Sequence, residues 1–381
     1  MRPLFFFISL FAAFSCSQSG KKQGDYSQMA FSLDTVMVDP GEEILFLKGE
    51  LRQSILFKDK KYLFNFNQDD HSVERINLDD LILSEKIPFE AEGPNGTGNY
   101  FHTFLAIGED SILFSGYQGS GIFDTEGKKI KDLDFKKVGS GEHRLNDDEF
   151  FVPQAVFPGN PELFLGFIRN WEDKSLKLVL VNFAEDWVDK MELPEFDKLK
   201  GLYAEFSDGN FLTMTGPDIY LISVGDKILI GNNAYNELFW LPPGETELTH
   251  YSYQSHITED SKKGKYPSQV DRPEEVQQIS RKIREEISFG RPVWDEENRI
   301  YYRFSYKEAF TEEVPSNTFS SSSKADVYLT IFDENLQMIG EAPVPMLEKT
   351  PARHFAKNGK IWIFENIEDE LGFVRLSIEG I

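Results

Sequence analysis

One cysteine in 381 residues rules out an internal disulfide and denies zinc the paired thiolates of most structural sites. Past the first residues, no apolar run approaches the roughly 20 that a membrane-spanning helix needs. Basic residues are few, 40 against 64 acidic ones. The net charge of −24 repels phosphate backbones, so no nucleic acid is expected as a partner. Catalytic signatures are missing too: there is no H-E-x-x-H, no G-x-S-x-G and no Walker loop. The six histidines show no metal-ligand spacing, so neither metal nor cofactor is expected. Asn65, Asn67 and Asp69 alternate as in a calcium loop, but Asp70 stands where that loop needs Gly and Ile76 where it needs Glu.

Aromatic residues are abundant at 14%, with 34 Phe, which suits strands packed face to face. The lone cysteine has a place of its own. Residues 1–15 read as a signal peptide: Arg2, then an apolar run from Leu4 to Phe14, then small Ser15. Ala13-Phe14-Ser15-Cys16 resembles a bacterial lipobox, where the Cys16 thiol takes lipid, palmitate included, before cleavage. Ala13 and Ser15 also suit an ordinary signal peptidase site. Residues 16–28 form a polar tether, and Ser17 lacks the Asp that holds many lipoproteins at the inner membrane. The expectation is a lipid-anchored cell-envelope protein of the outer membrane, bound to the membrane through its N-terminal lipid.

Along residues 29–381 one pattern recurs. Segments beginning at Arg75, Gly121, Leu180, Leu238 and Thr330 each run from an apolar strand through a turn, rich in Asx or Gly in most of them, into a second strand. A sixth, Val374 to Ile378, stops at the turn. Upstream of most lies another strand (Tyr62 to Phe66, Ile112 to Ser115, Leu163 to Ile168, Ile300 to Phe304, Ile361 to Phe364), often with a further one before it. Four strands per unit of about 45–60 residues predict an all-β fold, a six-bladed β-propeller. The sixth unit lacks an outer strand, and Ala30 to Val38 is a lone strand at the other end. Pairing the two closes the ring and removes an exposed edge. A large β-sandwich is the alternative.

One segment departs from this pattern. Residues 271–289 read as an inserted helix, with Asp271 and Glu274 as a capping box and Val276, Ile279, Ile283 and Ile287 on one face. The Ser-rich stretch Thr311 to Lys324 is a second insertion.

Candidate ligand-binding residues are Tyr100, after the Gly-rich run that starts at Gly93; His102 and His354, in first strands; and Arg169, Trp171, Tyr302 and Arg303, which place rings and guanidinium groups near strand ends. No catalytic residue is assigned. The leader, Glu92-Gly-Pro-Asn-Gly-Thr-Gly-Asn-Tyr100 opening a strand, and the repeated apolar-Phe-Asp-x-x-Gly hairpins together resemble the uncharacterised six-bladed β-propeller lipoproteins of Bacteroidota. The resemblance implies a propeller in the envelope and supplies no activity. The function expected is a tethered binding or scaffold module for a peptide, glycan or protein ligand. The alternative is an envelope hydrolase or lyase acting on glycans through a carboxylate pair.

Overall fold

The computed structural model describes residues 29–245, 247–310 and 324–379. The signal peptide, Cys16, the tether to residue 28 and residues 311–323 of the Ser-rich insertion lie outside the described residues.

The chain opens with β1 (Ala30–Met37). Blade 1 follows as β2 (Ser54–Leu56), β3 (Tyr62–Asn67), β4 (Ser72–Asn77) and β5 (Ile82–Pro88). Blade 2 is β6 (Phe101–Ile107), β7 (Ser111–Gly116), β8 (Gly119–Asp124) and β9 (Lys129–Leu133). Blade 3 is β10 (Phe151–Phe157), β11 (Asn160–Arg169), β12 (Leu176–Asn182) and β13 (Trp187–Glu192). A 3-10 segment, Pro194–Leu202, and a two-stranded hairpin, β14 (Ala204–Ser207) with β15 (Leu212–Thr215), come next. Blade 4 is β16 (Ile219–Val224), β17 (Lys227–Asn232), β18 (Glu237–Leu241) and β19 (Thr249–Ser252). After helix α1 (Pro273–Glu285), blade 5 has a first strand in two pieces, β20 (Ser288–Phe289) and β21 (Val293–Asp295), then β22 (Ile300–Ala309), β23 (Lys324–Asp333) and β24 (Met338–Pro343). Blade 6 is β25 (His354–Lys357), β26 (Lys360–Ile367) and β27 (Glu370–Glu379). Each blade is an antiparallel sheet in chain order.

Ring closure follows the expected route. β1 pairs antiparallel with β27 along its whole length, from Ala30 opposite Glu379 to Met37 opposite Gly372, and supplies the missing outer strand of blade 6. Asp34 ties the closure across the sheet, accepting from the guanidinium of Arg375 and, at 2.8 Å, from Lys360.

The blades pack radially because strand residues alternate in direction. In blade 3, Phe164, Val179 and Val181 face blade 2, packing with Leu113 and Ile122. Their neighbours Leu163, Leu165, Leu178 and Leu180 face Leu221, Ile228 and Phe239 of blade 4. The other interfaces repeat this, blade 1 on blade 2 through Phe64, Phe66, Phe104 and Phe114, and blade 6 on blade 1 through Trp362, Phe373 and Leu63. Six blade-to-blade cores arranged in this way exclude two stacked layers.

The recurring turns have a local cause. The third strand of four blades ends in Asn77, Asp124, Asn182 or Asp333, whose side-chain oxygen accepts from two backbone N–H groups of the turn. That is the Asx geometry that starts a tight hairpin. In three of them the ladder to the outer strand shifts register one residue earlier, at Arg75/Ile76, Ile122/Phe123 and Ile331/Phe332.

The insertion is helical but shorter than residues 271–289. Arg272 holds the N-cap position without a side-chain hydrogen bond, and Pro273 opens the first turn, so the Asp271–Glu274 box does not form. The helix ends at Glu285 because Ser288 and Phe289 are drawn into pairing with Tyr306 and Ser305 of β22. Val276, Ile279 and Ile283 form its buried face, while Ile287 is buried beyond its end. Ile279 and Ile283 pack with Ala204, Tyr266 and Val270, so α1 and the β14–β15 hairpin make one small lobe.

Candidate ligand-binding face

Antiparallel order fixes which loops share a face of the ring. Each first strand begins where the preceding blade's outer strand ends, and the second-to-third hairpin returns to that same side. The connections between blades, the second-to-third hairpins, α1 and β14–β15 therefore crowd one face, here the connection face. The first-to-second and third-to-fourth turns form the other.

Five aromatic side chains are exposed among the described residues: Tyr100, Tyr117, Phe150, Trp171 and Phe211. All five stand on connection-face loops. Tyr100 and Phe150 immediately precede the first strands of blades 2 and 3. Tyr117 and Trp171 occupy the second-to-third turns of those blades, and Phe211 sits in the β14–β15 turn. Tyr117 and Phe150 stack across the blade boundary, centroids 5.2 Å apart and planes 17° from parallel. His102 meets both rings edge-on, at 5.8 and 5.3 Å. Its Nδ1 lies 3.0 Å from the Thr103 hydroxyl, and burial holds its pKa below the usual histidine value. A side chain as exposed as Tyr117, at 78%, contributes little to a core and keeps its apolar face available.

The Gly-rich run before Tyr100 is a structural connection. Thr97 N donates to Glu90 O at 2.8 Å and Gly98 N to Ala91 O at 3.1 Å. A Cβ on Gly96 would meet the Glu92 backbone at 2.8 Å, so the chain folds back on itself too closely for a side chain. Thr97 also lies within 2.8 Å of the His71 ring. The loop holds Tyr100 out toward solvent.

On blade 3 the Arg169 guanidinium lies over the rings of Trp171 and Tyr203, 5.3 and 5.6 Å from their centroids, and donates to the Tyr203 hydroxyl. The Trp171 loop is held by Lys174, which donates to Trp171 O and to Glu205 of the inserted hairpin, both at 2.6 Å. Trp171 and the lobe are thus mechanically joined.

The remaining candidates fall elsewhere. Tyr302 and Arg303 lie within β22, not at its ends, and both are fully buried. Tyr302 faces blade 6 and donates to Asp295 at 3.1 Å. Arg303 faces blade 4, its guanidinium boxed by Phe332, Phe289 and Tyr253 at 4.9 to 5.5 Å and donating to Asn236. Neither meets solvent, so neither can receive a ligand from it. His354 is in an innermost strand as expected, with Nδ1 donating to Ala352 O at 2.8 Å and Phe304 edge-on at 5.0 Å. Burial pushes its pKa down to about 4, and the charges of Arg353 and Arg291 act in the same direction, so the ring is neutral at physiological pH. Asn65 and Asn67, two positions of the calcium-like string, donate instead to Glu74 at 2.8 and 2.9 Å. Among the described residues no group of three His, Cys, Asp or Glu is placed to hold a metal ion.

Fold and face together define a closed six-bladed β-propeller with one elaborated side. The chain belongs to the family described as "Domain of unknown function (DUF4221)", which matches residues 27–343. A member of that family from Bacteroides vulgatus shares 13% identity, covering 94% of this chain and 100% of its own, with a TM-score of 0.63. A Bacteroides fragilis protein described as exported shares 9% identity over 92% of this chain and 95% of its own, with a TM-score of 0.52. At these identities the likeness is one of fold. No curated protein matches the chain.

Proposed function

We propose that the protein is a cell-envelope binding module that holds a ligand chain on its connection face, tethered to the outer membrane through acylated Cys16. One observation carries this reading: every exposed aromatic among the described residues stands on the one face that also bears the inserted lobe. Turn aromatics scattered over a soluble propeller would divide between the faces. A glycan suits these rings best, because sugar C–H faces stack on aromatics without needing a counter-charge, and the acidic chain disfavours polyanions. Peptide and protein partners are the outcomes the test separates.

The leader pattern and the Bacteroides fragilis relative's description as exported support the envelope location. Metabolic labelling with a fatty-acid probe tests the anchor: label should disappear in Cys16→Ala, and label that persists refutes it. Glycan and peptide arrays probed with wild type and with a Tyr117→Ala/Phe150→Ala/Trp171→Ala variant test the face. The variant should keep its melting temperature and lose at least tenfold in affinity for whatever the wild type retains. Equal binding by both proteins would remove the aromatic face from the mechanism.

A further inference from the structure

A cavity of about 440 Å³ opens on the connection face, where the C-terminal half of α1 meets the start of blade 4 and the β20–β22 pair of blade 5. Its size lies in the range of small-ligand sites. The wall is polar: Asn233, Ser280, Ser288 and Tyr306 supply an amide and three hydroxyls, and Asp218, Arg284 and Glu308 supply charge. We propose that this cavity binds a neutral, hydroxyl-rich ligand the size of one or two sugar rings. The proposal rests on the binding-module reading for its choice of face and uses none of the exposed aromatic residues.

The charges in the wall are already paired. Arg284 donates Nε to Glu308 Oε1 at 2.9 Å, and Asp218 accepts from Arg291 at 3.3 Å. Both carboxylates in the wall already face a guanidinium. An incoming anion or cation would lose its hydration to meet groups whose charge is matched, a costly exchange. A neutral hydroxyl avoids that cost: it donates to lone pairs left open on the carboxylates and accepts from side-chain hydroxyls and amide hydrogens. Ile283 and the small residues Gly216 and Pro217 leave few apolar contacts, which disfavours a lipid or an aromatic ligand.

The cavity is also rigid. Asn233 and Asp218 are locked together, Asp218 N donating to Asn233 Oδ1 and Asn233 N to Asp218 O, both at 3.0 Å. Phe289 N donates to Asn233 O, fixing blade 5 against blade 4. On the helix side, Lys262 donates to Ile283 O and Ser288 Oγ at 2.7 and 2.8 Å. Burial raises the Tyr306 phenol to about 12, so it remains a donor at any physiological pH.

Saturation-transfer NMR and calorimetry should be run on the mature protein with neutral mono- and disaccharides (glucose, galactose, mannose, N-acetylglucosamine, cellobiose), alongside glucuronate and glucosamine as charged counterparts. At least one neutral sugar should bind, and Tyr306→Phe or Ser280→Ala, each removing one hydroxyl, should weaken it at least fivefold with the melting temperature unchanged. Absence of binding by every neutral sugar at 10 mM, a concentration about tenfold above a millimolar Kd, overturns the proposal, as does equal or tighter binding of the charged sugars. Sugar binding that survives both substitutions but is lost in Tyr117→Ala/Phe150→Ala would place the site on the aromatic rings and overturn the cavity alone.

Discussion

Lys262 gives the sharpest check on the lobe that roofs the cavity. Its side chain is buried, and its ammonium donates to Ile283 O, Glu286 O and Ser288 Oγ at 2.7, 3.3 and 2.8 Å. Two of these acceptors are carbonyls at the C-terminal end of α1, where a cation is favoured. Burial nevertheless dominates, pushing the pKa down from the usual 10.5 to about 8 against the opposing charges of Glu286 and Glu308. The unfolded chain keeps the ordinary value. Between pH 8 and 10.5 it therefore holds a proton that the folded protein has released, so stability rises with pH across that window.

A displacement of this size corresponds to about 3 kcal/mol, of which about 2 kcal/mol is recovered between pH 7 and pH 9.5. Other titrating groups move over the same range, so wild type is best compared with Lys262→Met, which shares them. Urea unfolding at pH 7, 8, 9 and 9.5 should show the free-energy gap between the two proteins widening by about 2 kcal/mol in favour of wild type. Parallel curves, or wild-type stability falling relative to Lys262→Met as pH rises, would show that the amine is not desolvated as the structure places it, and the account of the lobe's rigidity would fail with it.

Glu74 is fully buried and accepts from Phe46 N, Asn65 and Asn67 at 2.8 to 2.9 Å, so Glu74→Ala strands three buried donors and should cost about 3–5 kcal/mol in denaturant unfolding. A loss under about 1 kcal/mol would contradict that network. Removing the chain through Met37 bares the β27 edge from Gly372 to Glu379, and sedimentation should show self-association; a monomer with the wild-type melting temperature would refute closure by β1.

The fold was legible because four of the six blades repeat a local rule. An apolar residue followed by Asn or Asp, as in Ile76-Asn77 or Phe123-Asp124, encodes both the end of a third strand and the turn that follows it. The lone strand at Ala30 was readable for the same reason: the sixth unit visibly lacked its partner. The inserted hairpin was not readable. Ala-Glu-Phe-Ser and Leu-Thr-Met-Thr alternate apolar with polar, but each is only 4 residues long, and the hairpin is held by neighbours distant in sequence, α1 and the bridge of Glu205 to Gln269. The bounds of the helix were set in the same way, by the claim of β22 on Ser288 and Phe289. Among site residues, Trp171 and Tyr100 stood out because turns and glycines flank them. Tyr117 and Phe150 did not: in a chain with 34 Phe, only the three-dimensional stack distinguishes an exposed ring from a core ring. Tyr302 and Arg303 misled because β22 is ten residues long, which puts an apparent strand end in its middle.

Strand direction makes one further demand on the tether proposed at Cys16. As the outer strand of blade 6, β1 runs toward the connection face, so Ala30 enters from the opposite side. A lipid on Cys16 would then pull on the face that lacks the aromatics and the lobe. The chain between Cys16 and Ala30 reaches at most about 50 Å when fully extended. Under the proposed tether the plain side would sit nearer the bilayer and the connection face would point outward, where a ligand would arrive without passing the membrane. The acidic surface favours the same standoff from anionic headgroups. Single probes on Glu126→Cys, in a third-to-fourth turn, and on Tyr117→Cys can be compared in vesicles carrying a quencher lipid, with Cys16 acylated and therefore unreactive. Quenching should be stronger at position 126. Stronger quenching at 117 would turn the aromatic rings toward the bilayer and make them a membrane contact instead of a ligand platform.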